Sequence, residues 1–190
     1  MRFKESLNKL INLVKNPQGE WENINKDNKT ITQAYLHFTA PLILIACLFK
    51  LAGRFISLDF SILNAFLTCF AFIIITSGII YLSALIINEL LPKFKCSKNF
   101  PKIFSLIAYS AGPAIIINGI SSLHPDLSFI NIISLYSVIL FWIGTIKLLS
   151  VPKEQTVGFA LVSLILISAI IFIINLIIMP VIISLAFLNL

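Results

Sequence analysis

From residue 34 onward the chain is a series of long apolar stretches separated by short polar interruptions, at about 34–53, 61–91, 101–121, 128–149 and 157–188. A straight helix needs about 20 apolar residues to cross the hydrocarbon of a bilayer. The pattern therefore predicts an all-α, polytopic bundle of five transmembrane helices over residues 34–190. The second and fifth stretches are longer than a straight span, so they tilt, extend past the bilayer or break. Pro180 is the natural break in the fifth. Pro41 falls inside the first, and Gly112-Pro113 inside the third.

Residues 1–33 have a different rhythm. In FKESLNKLINLVK, residues 3–15, the apolar Phe3, Leu7, Leu10, Ile11 and Val14 recur at helical spacing, with lysines and asparagines between them. This predicts a short amphipathic helix, suited equally to an anionic leaflet and to the inner face of the protein's own bundle. The polar run over residues 16–33 opens on Asn16-Pro17, a turn signal, and holds Trp21 and Ile24. A tryptophan there suits the headgroup zone, so Trp21 is a candidate lipid-headgroup contact. The segment is too short to bury a core of its own. Its charges lie without a continuous apolar run, so no cleavable signal peptide is visible.

Composition agrees with the pattern. Hydrophobic residues make up 58% of the chain and charged residues 12%, against roughly 45–50% and 25% in soluble domains. The net charge of +6 is foremost a topology signal, because lysine and arginine collect on cytoplasmic loops. Arg2, Lys4, Lys9, Lys15, Lys26 and Lys29 precede the first span, Lys93, Lys95, Lys98 and Lys102 follow the second, and Lys147 and Lys153 follow the fourth. The opposite side holds Lys50 and Arg54 alone. The N-terminus is thus expected in the cytoplasm and the C-terminus outside, in the plasma (inner) membrane of a prokaryotic owner. No basic patch interleaved with aromatics suggests a nucleic acid partner.

Catalytic chemistry finds little to stand on. None of the acids sits in the middle of a span, where a proton relay or an acid/base pair in the membrane would need one. His37 and His124 are expected on opposite sides of the bilayer. Cys47, Cys69 and Cys96 lack metal or redox spacing. No enzyme activity, metal or cofactor is expected. Lys50 and Arg54, one turn apart near the outer end of the first span, are candidate headgroup contacts by snorkelling. The strongest intramembrane signal is Tyr109-Ser110-Ala111-Gly112-Pro113 with Asn118 beyond it. Pro113 frees the carbonyl of Tyr109, and Tyr109, Ser110 and Asn118 add polar atoms. Groups of this kind must be satisfied by other helices or water. Tyr109, Ser110, Gly112, Pro113 and Asn118 are therefore expected to face the bundle interior, either as a close-packed kink or as a polar binding site.

Four features together resemble the Yip family of membrane proteins, named for interaction with Ypt/Rab GTPases, and its prokaryotic branch most. They are Asn16-Pro17 followed by Trp21 and Ile24; a first span opening around Tyr35 with Pro41; Ala108-Tyr109-Ser110-Ala111-Gly112-Pro113; and Leu135-Tyr136, Gly144 and Pro152-Lys153 around the fourth span. The resemblance covers about residues 14–185 and implies five spans with a cytoplasmic N-terminus. It brings no enzymatic activity. The chain lacks the long acidic segment of many eukaryotic relatives, which argues against a Rab-type GTPase as partner. The expected function is that of a non-catalytic protein that organises membrane or binds partner proteins, with membrane lipids, other membrane proteins or itself as partners. The alternative is a small transporter or lipid-handling protein with a polar cavity at the broken third helix.

Overall fold

The computed structural model describes residues 2–56, 62–149 and 151–187, with side chains described except at Arg2, Lys153, Met179 and 181–187. Asp59, the predicted start of the second span and the predicted end of the fifth lie outside the described residues. Every described element is helical. Two short helices, α1 (Arg2–Lys15) and α2 (Pro17–Asp27), precede five that are long and apolar enough to cross a membrane. These are α3 (Ile31–Ile56), α4 (Ile62–Phe94), α5 (Phe100–Ser121), α6 (Pro125–Leu148) and α7 (Lys153–Phe187), the last with its apolar stretch over Glu154–Ile178.

Local chemistry sets the boundaries. Asn16 caps α2 by accepting a hydrogen bond from the Gly19 N–H at 3.2 Å, and Pro17 takes the first helical position, where its missing N–H costs nothing. Asn28 ends α2 in the left-handed conformation at φ 45°. Thr30 and Gln33 form a reciprocal capping box that starts α3. Asn99 caps α5 through the Lys102 N–H.

Four of the spans depart from regular α-helix, α4 only in its last turn, a 3-10 segment over Leu91–Phe94. In α3, Tyr35–Thr39 is π-helical, just before Pro41. α5 breaks at Ala111 into Phe100–Ser110 and Gly112–Ser121. α6 begins as a 3-10 helix over Pro125–Leu135 and becomes α-helical at Tyr136. The break expected at Pro180 is absent: α7 continues through it. Proline removes one backbone hydrogen bond, a defect that transmembrane helices tolerate by small local adjustments.

α5 is the hub. Its first half, from Ile103 to Ser110, is buried on every side. Gly119 lies against Ala46 of α3, and Gly53 of α3 lies against the backbone of Ser122. These small residues let the backbones of α3 and the end of α5 approach closely. The outer faces of α4, α6 and α7 present large apolar side chains, among them Phe66, Phe70, Phe129, Ile132, Ile165 and Phe172. Among soluble proteins so large an apolar surface would be exceptional; on a bundle of spans it meets acyl chains. The chain is a multi-pass integral membrane protein.

Candidate functional site: the broken third span and the hairpin that seals it

The expected break in the third span exists, and the N-terminal hairpin is built into it. Leu10 and Leu13 of α1 and Trp21 and Ile24 of α2 belong to the same core as Phe38 and Tyr109. A Cβ added at Gly112 would come within 2.9 Å of both Leu10 Cδ1 and Phe38 Cζ. The space left by the missing side chain is therefore already filled. The Tyr109 ring is held between Phe38, at 4.4 Å between centroids, and Trp21, edge-on at 6.2 Å. The Trp21 ring fits over Gly144 of α6, where a Cβ would lie 2.7 Å from Trp21 Cε2. Lys9 of α1 places its ammonium 5.4 Å from the Tyr109 ring centroid.

The hairpin also answers backbone defects that the spans carry. Pro41 cannot donate to the carbonyl of His37, and the hydroxyl of Ser6, buried on α1, donates to that carbonyl at 2.6 Å. Asn25 of α2 donates to the carbonyl of Lys147, near the end of α6, at 3.2 Å and accepts from the ammonium of Lys102 at 3.0 Å. The phenol of Tyr136 donates to the carbonyl of Val14, in the last turn of α1, at 3.1 Å. At the break, the N–H of Ala114 donates to Ser137 Oγ on α6 at 3.3 Å.

Ion pairs hold the hairpin's polar edge. Lys9 reaches Glu20 at 3.7 Å and Asp27 at 3.3 Å, and Lys147 pairs with Glu22. The hydrogen bond and charge of Lys147 hold the Glu22 carboxyl below its ordinary range. Burial, with the like charge of Lys9, lowers Lys29 below the usual lysine range. Four buried polar atoms around the break, Trp21 Nε1, Thr39 Oγ1, Tyr109 OH and Ser110 Oγ, have no hydrogen-bond partner among the described residues.

Tyr109, Ser110, Gly112 and Pro113 are thus together and buried. Asn118 is not with them: it is exposed, because nine residues of helix after Tyr109 bring it about half a turn round from that ring. Trp21 does not reach a headgroup. It is fully buried, because the α1–α2 turn folds it inward onto Gly144 and Tyr109. Lys50 and Arg54 are half-buried and turned toward α4: the Lys50 ammonium lies 4.5 Å from the Phe72 ring centroid, and Arg54 donates to Thr68 Oγ1 at 3.3 Å.

Several pieces escaped sequence reasoning. Ser6, Asn25 and Ser137 are ordinary polar residues until the chain folds, and their partners lie far along it. Cys47 and Cys69, which have no motif spacing, meet across α3 and α4, each thiol directed at the other's backbone carbonyl at 3.9 and 3.7 Å. Among the described residues no cluster of three or more His, Cys, Asp or Glu is placed to hold a metal ion.

A family model described as Yip1 domain matches residues 11–188. No curated protein and no solved structure matches the chain.

Proposed function

This chain belongs to the Yip1 domain family, and from that premise we propose that it is a non-catalytic membrane protein that organises membrane or binds partner proteins. The observation that carries this is the sealed break. Leu10, Phe38 and Trp21 occupy the place where a polar solute path through the third span would open. A transporter reading would have drawn on an enclosed polar site shared by Tyr109 and Asn118, and Asn118 points away. What remains for function is the outer surface: the apolar faces of the spans and the exposed side of α1. Purification in a mild detergent, followed by mass spectrometry of co-purifying proteins and lipids, tests the proposal. A reproducible membrane-protein partner, or a stable self-assembly, is expected. Saturable uptake of a small solute by reconstituted vesicles would contradict it.

The proposed orientation places the N-terminus and Lys98 in the cytoplasm and Asp126 outside, in the plasma membrane. The distribution of lysines supports it. In a background lacking native cysteines, Asp126→Cys should react with an impermeant maleimide on intact cells, and Lys98→Cys only after permeabilisation. The reverse pattern would overturn the orientation.

The hairpin's two faces make separate predictions. Leu10 is buried against Gly112, whereas Ile11 is 45% exposed. Leu10→Asp buries a charge without a partner and should release α1, seen as rapid proteolysis within residues 1–27. Ile11→Asp should leave that protection in place. Equal sensitivity in the two variants would show that α1 is not seated on the bundle.

A further inference from the structure

We propose that the groove beneath the C-terminal half of α1 is a phospholipid site: it takes one acyl chain of an anionic lipid whose phosphate is held by Lys15. The groove has a volume of about 500 Å³ and is lined by Leu10 and Val14 of α1, Pro113, Ile116 and Ile117 of α5, and an apolar row of α6 ending at Tyr136 and Ile139. That volume lies within the usual range for small-molecule sites, roughly 300–1,000 Å³. Apart from the Tyr136 hydroxyl, its side chains are apolar, and that hydroxyl is engaged with the Val14 carbonyl.

The occupant follows from where the groove lies. It runs along α6 from Ile139 back to Ile132, about 12 Å by helical rise, away from α1 and toward the opposite face of the bundle. Both flanking helices are spans, so the groove opens to hydrocarbon. The order of residues around α1 fixes the depth of its mouth. At about 100° per residue, Ser6, Leu10 and Leu13 form the face buried in the bundle. Next around the helix come Phe3, Leu7, Val14 and Ile11, apolar and exposed. Then come Lys4 and Lys15, followed by Asn8, Asn12 and Glu5, all exposed. Core, hydrocarbon and water thus follow one another around a single helix, the arrangement of a helix lying in the interface. Lys4 and Lys15 stand on the boundary between the apolar and polar arcs, which is the phosphate level. Neither has an ion pair among the described residues. A lysine at that level attracts an anionic headgroup, and Val14, beside Lys15, opens onto the groove.

The test uses the full chain in nanodiscs of phosphatidylcholine doped with phosphatidylglycerol that carries a diazirine near one acyl end. After illumination, adducts are mapped by peptide mass spectrometry. They are expected to concentrate on residues 113–117 and 132–139, well above those on the α7 positions Leu161, Ile165 and Phe172, which are also exposed. Lys15→Glu, a surface change, should reduce the groove adducts several-fold while leaving those on α7 and the melting temperature unchanged. Ile117→Trp should fill the groove and abolish its adducts; Val14→Trp, on the exposed arc, serves if the first fails to fold. Adducts spread evenly over all exposed apolar faces would overturn the site. Groove adducts of equal yield from a diazirine phosphatidylcholine, unchanged by the lysine reversal, would overturn the anionic assignment.

Discussion

Trp21→Ala is expected to undock the N-terminal hairpin and to lower the apparent stability of the solubilised protein by on the order of 3–5 kcal/mol, the cost of removing a large aromatic from a packed core. Trp21 is fully buried, contacts the Tyr109 ring edge-on and covers Gly144. Its removal leaves a void between α2, α5 and α6. The effect should appear in a thermal melt followed by size-exclusion chromatography, together with new cleavage within residues 1–27. Trp21→Phe should cost much less: it keeps most of the ring contact and discards an indole N–H that has no partner among the described residues. If Trp21→Ala melted like the parent, α2 would be an attachment and not a part of the bundle.

The second large effect is expected at Gly119. A Cβ there would lie 2.7 Å from Ala46 Cα and 2.9 Å from Ala46 Cβ. The opposing atom at the closest approach is backbone, so no rotamer change relieves the clash. Gly119→Leu must push α3 and α5 apart, at about 1–3 kcal/mol or more for overpacking. Gly112 differs in kind, since its nearest neighbours are the ends of the Leu10 and Phe38 side chains, which have some freedom to move. Gly78 is the control. Nothing lies within 4 Å of a Cβ built there, and Gly78→Ala should be neutral or gain about 0.5–1 kcal/mol from reduced backbone entropy. Melting curves of the two variants, side by side, decide the matter. Similar melting temperatures would mean that Gly119 is not a helix contact.

The spans were legible because hydrophobic runs near 20 residues carry their own signal, independent of tertiary contacts. The interruption at Gly112-Pro113 was legible for a similar reason: its cause is local backbone chemistry. Pro180 carries the same local chemistry and leaves α7 unbroken, so proline alone does not distinguish a break from a tolerated defect. The amphipathic stripe of α1 was seen but not resolved. Phe3, Leu7, Leu10, Ile11 and Val14 form one apolar arc by spacing, yet only Leu10 among them is buried. Ser6, a polar residue outside the stripe, is buried because the Pro41 defect supplies a carbonyl 31 residues away. Trp21 misled for a related reason. Its sequence position fits the interface, while its burial depends on Gly144, more than a hundred residues later. Asn118 shows the complementary limit: a polar residue eight positions beyond a polar cluster shares its helix but not its face.

The α1–α2 hairpin is seated in the broken third span. The most direct test is a cross-link between Leu10→Cys and Gly112→Cys, in a chain with Cys47, Cys69 and Cys96 changed to serine, oxidised mildly in native membranes. Leu10 Cδ1 is 2.9 Å from where the Gly112 Cβ would stand. The two new thiols are therefore expected to couple rapidly within one chain, protecting both from a later maleimide until reduction. Free labelling of both positions in the folded, membrane-inserted protein, with no cross-link, would mean that α1 does not lie against the break.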